Sequence, residues 1–234
     1  MPNAYSADWY EIFLDSIPAP ITDSEISFVE RQLPRAEFPS LLDLCCGSGR
    51  HAAELSKLGY DVLGIDRNES AIRRARASCP QARFEVRDLR HIRSIDRAFD
   101  AVLNLWHSFG YFDDETNTDV LRQMCELVRP GGKAIVDLYN RDYFAGLPDQ
   151  ELAERGGRRI RTRRSWKGLR HHIRLDYDDA PGDEFEWRLY SPEEFSLACS
   201  SVGLNTELRC AWFDESRPPS AEHARMQFVL KRAV

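Results

Sequence analysis

A chain of 234 residues, 42% hydrophobic and 30% charged, carries enough apolar material for one large α/β core and too much of it for intrinsic disorder. Its formal charge of −6 argues against a duplex nucleic-acid binder, which presents a basic face. No apolar run approaches the ~20 residues of a membrane helix, and the N-terminus (Asp8, Glu11, Asp15) lacks a basic leader, so no membrane contact and a cytoplasmic location are expected.

In chain order, residues 5–17 (YSADWYEIFLDSI) place Trp9, Ile12 and Phe13 at helical spacing. A second helix is expected over about 22–33, before Pro34 and Pro39 break the chain. Strand 41–45 leads to a helix over about 50–58, strand 61–65 ending at Asp66, a helix over 69–78, and strand 82–86 just before Asp88. Strand 99–105 follows, then helix 114–128 with Val120, Leu121, Met124 and Leu127 on one stripe. Arg129-Pro-Gly-Gly132 is expected to end that helix as a glycine C-cap, ahead of strand 133–139. This alternation predicts a parallel sheet covered on both faces. Beyond 140 the period shortens. Residues 157–178 and 184–190, with a Pro-Gly turn at 181–182, read as antiparallel strands. Ser191-Pro-Glu-Glu194 is a capping box opening a helix that stops at Gly203, and strands at about 205–213 and 225–232 close the sheet.

The chemistry concentrates in Leu41-Leu-Asp-Leu-Cys-Cys-Gly-Ser-Gly49 and Asp66. A buried strand, a glycine turn, a helix and a second strand ending in a carboxylate build a nucleotide-type pocket. Glycine lets the backbone approach a ligand, and a carboxylate is matched to two ribose hydroxyls. The six cysteines (45, 46, 79, 125, 199 and 210) form no C-x-x-C pair, so reduced thiols and no metal site are expected.

These residues resemble class I S-adenosylmethionine-dependent methyltransferases. Leu41 to Gly49 resembles the family's glycine motif, with Cys45 where glycine is frequent, a departure that suits an ordinary strand-end conformation. Asp66 matches the ribose-binding acid, Asp88 the acid that receives the adenine amino group, and Arg129-Pro-Gly-Gly132 the turn before the fifth strand. The resemblance implies a Rossmann-like, seven-stranded, mostly parallel sheet with an antiparallel β insertion (141–190) between its fifth and sixth strands. It also implies a helical lid at 1–34, all within one domain spanning 1–234. The implied cofactor is S-adenosylmethionine, leaving as S-adenosylhomocysteine. Gly47 and Gly49 would face its amino-acid part, Arg50 its carboxylate and Leu89 its adenine. Asp43, Cys45, Arg67, Asn104 and Trp106 complete the expected cofactor shell. Asn104-Leu-Trp-His-Ser-Phe-Gly-Tyr-Phe112 is similar to the corresponding segment of sugar-amine N-methyltransferases.

A small-molecule acceptor is accordingly expected, with Tyr5, Phe109, Tyr111 and Arg141 as its contacts. His107 is the candidate general base, because imidazole titrates near neutrality; Tyr10 and Tyr139 are further catalytic candidates. The basic stretch 155–174 reads as a solvated face, with an anion-recognising surface or RNA binding as alternatives. No nucleic-acid partner is expected, and the chain should be a monomer or homodimer. A dinucleotide oxidoreductase would share Gly47-x-Gly49-x-x-Ala52 and Asp66, but no Tyr-x-x-x-Lys pair is present. A nucleic-acid methyltransferase would carry an Asn/Asp-Pro-Pro-Tyr/Phe motif or a Pro-Cys nucleophile after the fourth strand, and neither occurs. A non-catalytic cofactor-binding protein would bind without yielding methylated product.

Overall fold

The computed structural model describes residues 3, 5–14 and 17–233. Its larger sheet has seven strands: β1 (Ser40–Leu44), β2 (Asp61–Asp66), β3 (Arg83–Val86), β4 (Phe99–Asn104), β5 (Val128–Tyr139), β10 (Leu204–Cys210) and β11 (Arg225–Arg232). They lie in the order β10-β11-β5-β4-β1-β2-β3, with β11 antiparallel to both neighbours. The helices are α2 (Ala19–Gln32), α3 (Arg50–Lys57), α4 (Glu69–Ser78), α5 (Asp114–Leu127) and α7 (Pro192–Ser200). Apolar clusters form on the two faces of the sheet, one around Leu42, Phe99 and Phe228, the other around Phe28, Leu41 and Leu103. Every residue of β1 and β4 is buried, as a parallel sheet covered on both faces requires. Connections leave β1 and β4 in opposite directions along the sheet, which opens a crevice at their C-terminal ends.

A second, four-stranded antiparallel sheet follows a short helix α6 (Arg141–Ala145): β6 (Gln150–Arg155), β7 (Arg158–Lys167), β8 (Arg170–Tyr177) and β9 (Asp183–Arg188). β6 is exposed along its whole length, so no alternation in QELAER marks it as a strand, and the sequence reading passed over it and α6. The N-terminal segment packs against this sheet. Ile12, Tyr5, Trp9 and Phe13 join Ile160, Phe185 and Trp187 in a third apolar cluster. Asp183 fastens the segment by accepting hydrogen bonds from the Ser6 amide (3.0 Å), the Ser6 hydroxyl (2.7 Å) and Tyr177 (2.7 Å).

Three expectations change. The N-terminal helix is the single turn α1 (Ala7–Trp9) continued by a π-helical turn at Tyr10–Leu14; Asp15 and Ser16 lie outside the described residues. Helix α2 starts at Ala19, earlier than expected, and buries Phe28 and Val29 completely, so it belongs to the core and only the segment before it covers the crevice. Arg129-Pro-Gly-Gly132 does not cap α5, whose C-cap is Val128. It bulges within β5, between the pairings Phe99 with Val128 and Ala101 with Lys133. Gly132 passes so close to β4 that a Cβ there would sit 2.6 Å from the Asp100 carbonyl. Among the described residues, no helix is long and apolar enough to cross a membrane.

Candidate active site

The crevice is a cavity of about 860 Å³, floored by the ends of β1, β2 and β4 and roofed by the N-terminal segment and the second sheet. Ordinary ligand pockets span ~300–1,000 Å³, so it has room for more than one small molecule. The turn after β1 is left-handed at Cys45 (φ 59°), Gly47 (φ 55°) and Gly49 (φ 83°). Cys45 therefore lacks the strand-end conformation that would make its departure from glycine free of strain; it occupies a region that costs a non-glycine residue about 1–2 kcal/mol. Gly47 lines the cavity, and a Cβ on it would meet nothing within 4 Å. Gly49 does not line it: a Cβ there would lie 3.0 Å from Phe84 and 3.1 Å from Ala75, so this glycine serves the approach of α3 to β3 and α4.

Asp66 accepts hydrogen bonds from the Gly47 amide (3.0 Å) and the Asn68 amide (2.8 Å), leaving lone pairs on both oxygens. Burial raises its pKa against those two donors. Asp43 lies deeper. Its Oδ2 has no partner among the described residues, and burial pushes its pKa up to about 7, opposed by Arg50 and reinforced by Asp66. Asp88 and Leu89 line the cavity, but Asp88 is committed locally: Arg90 pairs with it (2.9 and 2.7 Å) and holds its pKa near about 2. Arg67 also lines the cavity and donates to the Asn3 carbonyl (2.9 Å). Asn104 does not. It is fully buried under the sheet ends and donates to the Leu44 carbonyl (3.4 Å), because residue 104 still belongs to β4 and points away from the crevice.

Arg50 and Trp106 converge on a residue that the sequence reading did not single out. Glu25, on α2, accepts hydrogen bonds from Arg50 Nη1 (2.7 Å), His51 Nε2 (2.8 Å) and Trp106 Nε1 (2.7 Å). Burial alone would raise its pKa; the His51 hydrogen bond and the charges of Arg50 and Arg225 overcome this and bring it to about 2. Arg225 is buried beside it and also pairs with Asp137. Asp137 in turn accepts from the Trp106 amide (2.8 Å), and its carbonyl from the His107 amide (3.0 Å). These bonds hold Trp106 and His107 as two successive left-handed residues (φ 59° and 53°).

His107 lines the cavity with its Nδ1 already occupied, accepting from the Tyr139 amide (3.0 Å). Burial, with the charge of Arg225 and His171, lowers its pKa to about 3. The neutral ring thus carries its proton on Nε2, which has no partner among the described residues. A protonated Nε2 donates and cannot accept, so the geometry does not suit the general-base role. Tyr139 stacks on this ring at 4.0 Å. Tyr5 and Tyr111 meet hydroxyl to hydroxyl (2.5 Å), and burial raises the pKa of both. Tyr10 lines the cavity too, beneath Arg74. Phe109 and Arg141 lie elsewhere. Phe109 is core, packed on Tyr190 and Phe195, and Arg141 pairs with Glu194 (2.5 Å) and Asp142 (3.3 Å). The roof of the cavity instead gains Phe144, Phe185 and Trp187, aromatic side chains that no motif marked. Most of the basic stretch is neutralised on the spot, as in Arg158–Asp8 (2.6 Å), Arg159–Asp178 (2.9 Å), Arg163–Asp176 (2.5 Å) and Arg164–Glu151 (2.5 Å).

This arrangement fits S-adenosylmethionine. Asp43 supplies a buried acceptor without a partner for an ammonium, Asp66 keeps lone pairs for ribose hydroxyls, Gly47 leaves open space, and Leu89 gives an apolar wall. Among the described residues, no cluster of side chains could hold a metal ion.

A family described as "Methyltransferase domain" matches residues 41–132. The dTDP-3-amino-3,4,6-trideoxy-alpha-D-glucopyranose N,N-dimethyltransferase of Streptomyces venezuelae is 26% identical over 73% of this chain and 77% of its own. Among solved structures, the CcbJ methyltransferase of Streptomyces caelestis superposes with a TM-score of 0.80 at 21% identity, covering 97% of this chain and 96% of that one. The sugar N-methyltransferase KedS8 of Streptoalloteichus sp. superposes at 0.71 with 20% identity, covering 98% and 93%. With the motif, the cleft and these relatives in agreement, the chain is an S-adenosylmethionine-dependent methyltransferase that resembles the class I enzymes, the sugar-amine N-methyltransferases among them.

Proposed function

We propose that the chain methylates the nitrogen of a small polar amine, of the amino-sugar kind on which its Streptomyces relative acts. One observation carries the choice of nitrogen over oxygen: among the described residues, the acceptor half of the cleft offers no base. His107 presents a donor, the buried tyrosines hold their protons, and Glu151 is engaged by Arg164. A hydroxyl needs a group to take its proton as it attacks, whereas a neutral amine does not.

Bound S-adenosylmethionine supplies a methyl group on a sulfonium. The residues of this chain orient and enclose. Asp43, Gly47, Arg50 and Asp66 hold the cofactor end. The His107 Nε2–H and the Tyr5–Tyr111 hydroxyl pair fix the acceptor's polar groups. The aromatic faces of Tyr139 and Trp187 favour the cationic partners by about 0.5–2 kcal/mol. The segment before α2 and the second sheet act as a lid that keeps water from the reacting centre. Holding the amine in line with the methyl group replaces acid–base chemistry as the source of rate.

The test is transfer of labelled methyl from S-adenosylmethionine to a dTDP-linked amino sugar and to its hydroxyl counterpart, read by mass spectrometry. Label on the amine alone, at a rate that rises with pH as the amine deprotonates, is expected. Label on the hydroxyl compound, or on added RNA with none on the amine, refutes the reading.

A further inference from the structure

Glu25 occupies a junction that no cofactor motif covers. Its side chain is only 2% exposed, on a helix whose buried Ile26, Phe28 and Val29 serve the core. It nevertheless reaches both functional halves of the cleft: Arg50 and His51 at the start of α3, and Trp106 after β4. Arg50 is tied through Nη1 alone, to Glu25 and to the Thr22 hydroxyl (2.6 Å). Its Nε and Nη2 have no partner among the described residues, and the side chain lines the cavity. Its guanidinium lies 4.8 Å from the centre of the Trp106 ring, and that of Arg225 lies 4.4 Å from it. A guanidinium fixed at one nitrogen keeps a preorganised edge for a bidentate anion.

We propose that Glu25 is a positioning residue that sets Arg50 to receive the cofactor's carboxylate and, through Trp106 Nε1, keeps the Trp106–His107 turn in its left-handed form. The proposal rests on the cofactor reading and extends it from the ligand's contacts to the group that aims them. Glu25 does not line the cavity, so it acts through the side chains it holds. Its carboxylate balances Arg50 and Arg225, so its loss leaves two partly buried cations and an indole N–H without a common acceptor.

The test compares two ligands by calorimetry. S-adenosylhomocysteine carries the amino-acid arm; 5′-methylthioadenosine shares the nucleoside and lacks the arm. Glu25→Gln should weaken S-adenosylhomocysteine about tenfold or more and change 5′-methylthioadenosine by less than about twofold, since only the former meets Arg50. Thr22→Val leaves the buried carboxylate in place and removes the second hold on Arg50. It should weaken S-adenosylhomocysteine about threefold with the same selectivity, and it serves if Glu25→Gln does not fold. In an Arg50→Gln background, Glu25→Gln should add nothing further to the loss. Equal weakening of both ligands, or no weakening of either, overturns the proposal. Failure of the unmutated protein to bind either ligand would instead overturn the cofactor reading.

Discussion

Asp43 should make cofactor affinity a function of pH. Its carboxyl is buried, one oxygen lacks a partner among the described residues, and its pKa stands at about 7. An ammonium brought against it binds the ionised form. With a pKa of about 7 the ionised fraction is about 90% at pH 8, about half at pH 7 and about 10% at pH 6. The Kd for S-adenosylhomocysteine should therefore rise about tenfold from pH 8 to pH 6, one pK unit of free energy, about 1.4 kcal/mol. Stability of the free protein runs the other way. A carboxyl whose pKa is raised by folding favours the protonated fold, so this group's contribution grows as pH falls through 7 and is lost above it. Asp66, also raised by burial, would bend the same curve, and Asp43→Asn separates the two. The variant should lose about 1.5–3 kcal/mol of affinity at pH 8 through the missing charged hydrogen bond, and its Kd should be nearly flat from pH 6 to 8. Calorimetry in matched buffers gives both curves. A flat profile in the unmutated protein, or an undiminished slope in Asp43→Asn, refutes the assignment.

Three further outcomes follow from the same structure. His107→Ala should lower turnover by removing a donor from the acceptor wall, yet the pH–rate profile should keep its shape. Loss of an ionisation near neutrality in the variant alone would restore the base role. Cys45→Gly removes about 1–2 kcal/mol of left-handed strain against ~0.5–1 kcal/mol of glycine entropy, so urea unfolding should show a change between zero and a gain of about 1.5 kcal/mol. A clear loss of stability would show that the thiol's packing outweighs the backbone term. Phe109→Ala should cost about 3–5 kcal/mol in the same assay, as for a buried aromatic anywhere in the core. A variant of normal stability with impaired acceptor KM would return Phe109 to the site.

The cofactor floor was legible because its signals are local. Leu41 to Leu44 is an unbroken apolar run apart from Asp43, the glycines follow at once, and Asp66 ends the next strand, so a few neighbouring residues determine the elements and bring Gly47 and Asp66 to the cavity. Errors within it came from assigning a direction to every residue of a motif. Gly49 and Asn104 sit beside the crevice in sequence, but the close approach of α3 and the pleat of β4 turn them away. The conformation of Cys45 was unreadable for a related reason: side-chain identity predicts the common φ, and a turn fixed by its flanking strand and helix imposed the rare one. The acceptor wall was harder. Phe109 and Tyr111 are two positions apart and equally aromatic, and only the placement of β9 and α7 decides which is core. Glu25 carried no signal, since its partners are Arg50, Trp106 and Arg225, joined to it only by folding.

The clasp at Asp183 has a consequence for how such enzymes diversify. It joins the N-terminal segment to the second sheet, while Arg170 to the Phe112 carbonyl (2.6 Å) and the Arg188 amide to the Gly110 carbonyl (2.8 Å) tie that sheet to the segment after β4, with Arg67 to Asn3 as a strut down to the floor. Substitutions within that ceiling can reshape the space above the methyl donor while the machinery that grips the donor stays as it was. A change of acceptor then needs no change in the residues that floor the crevice.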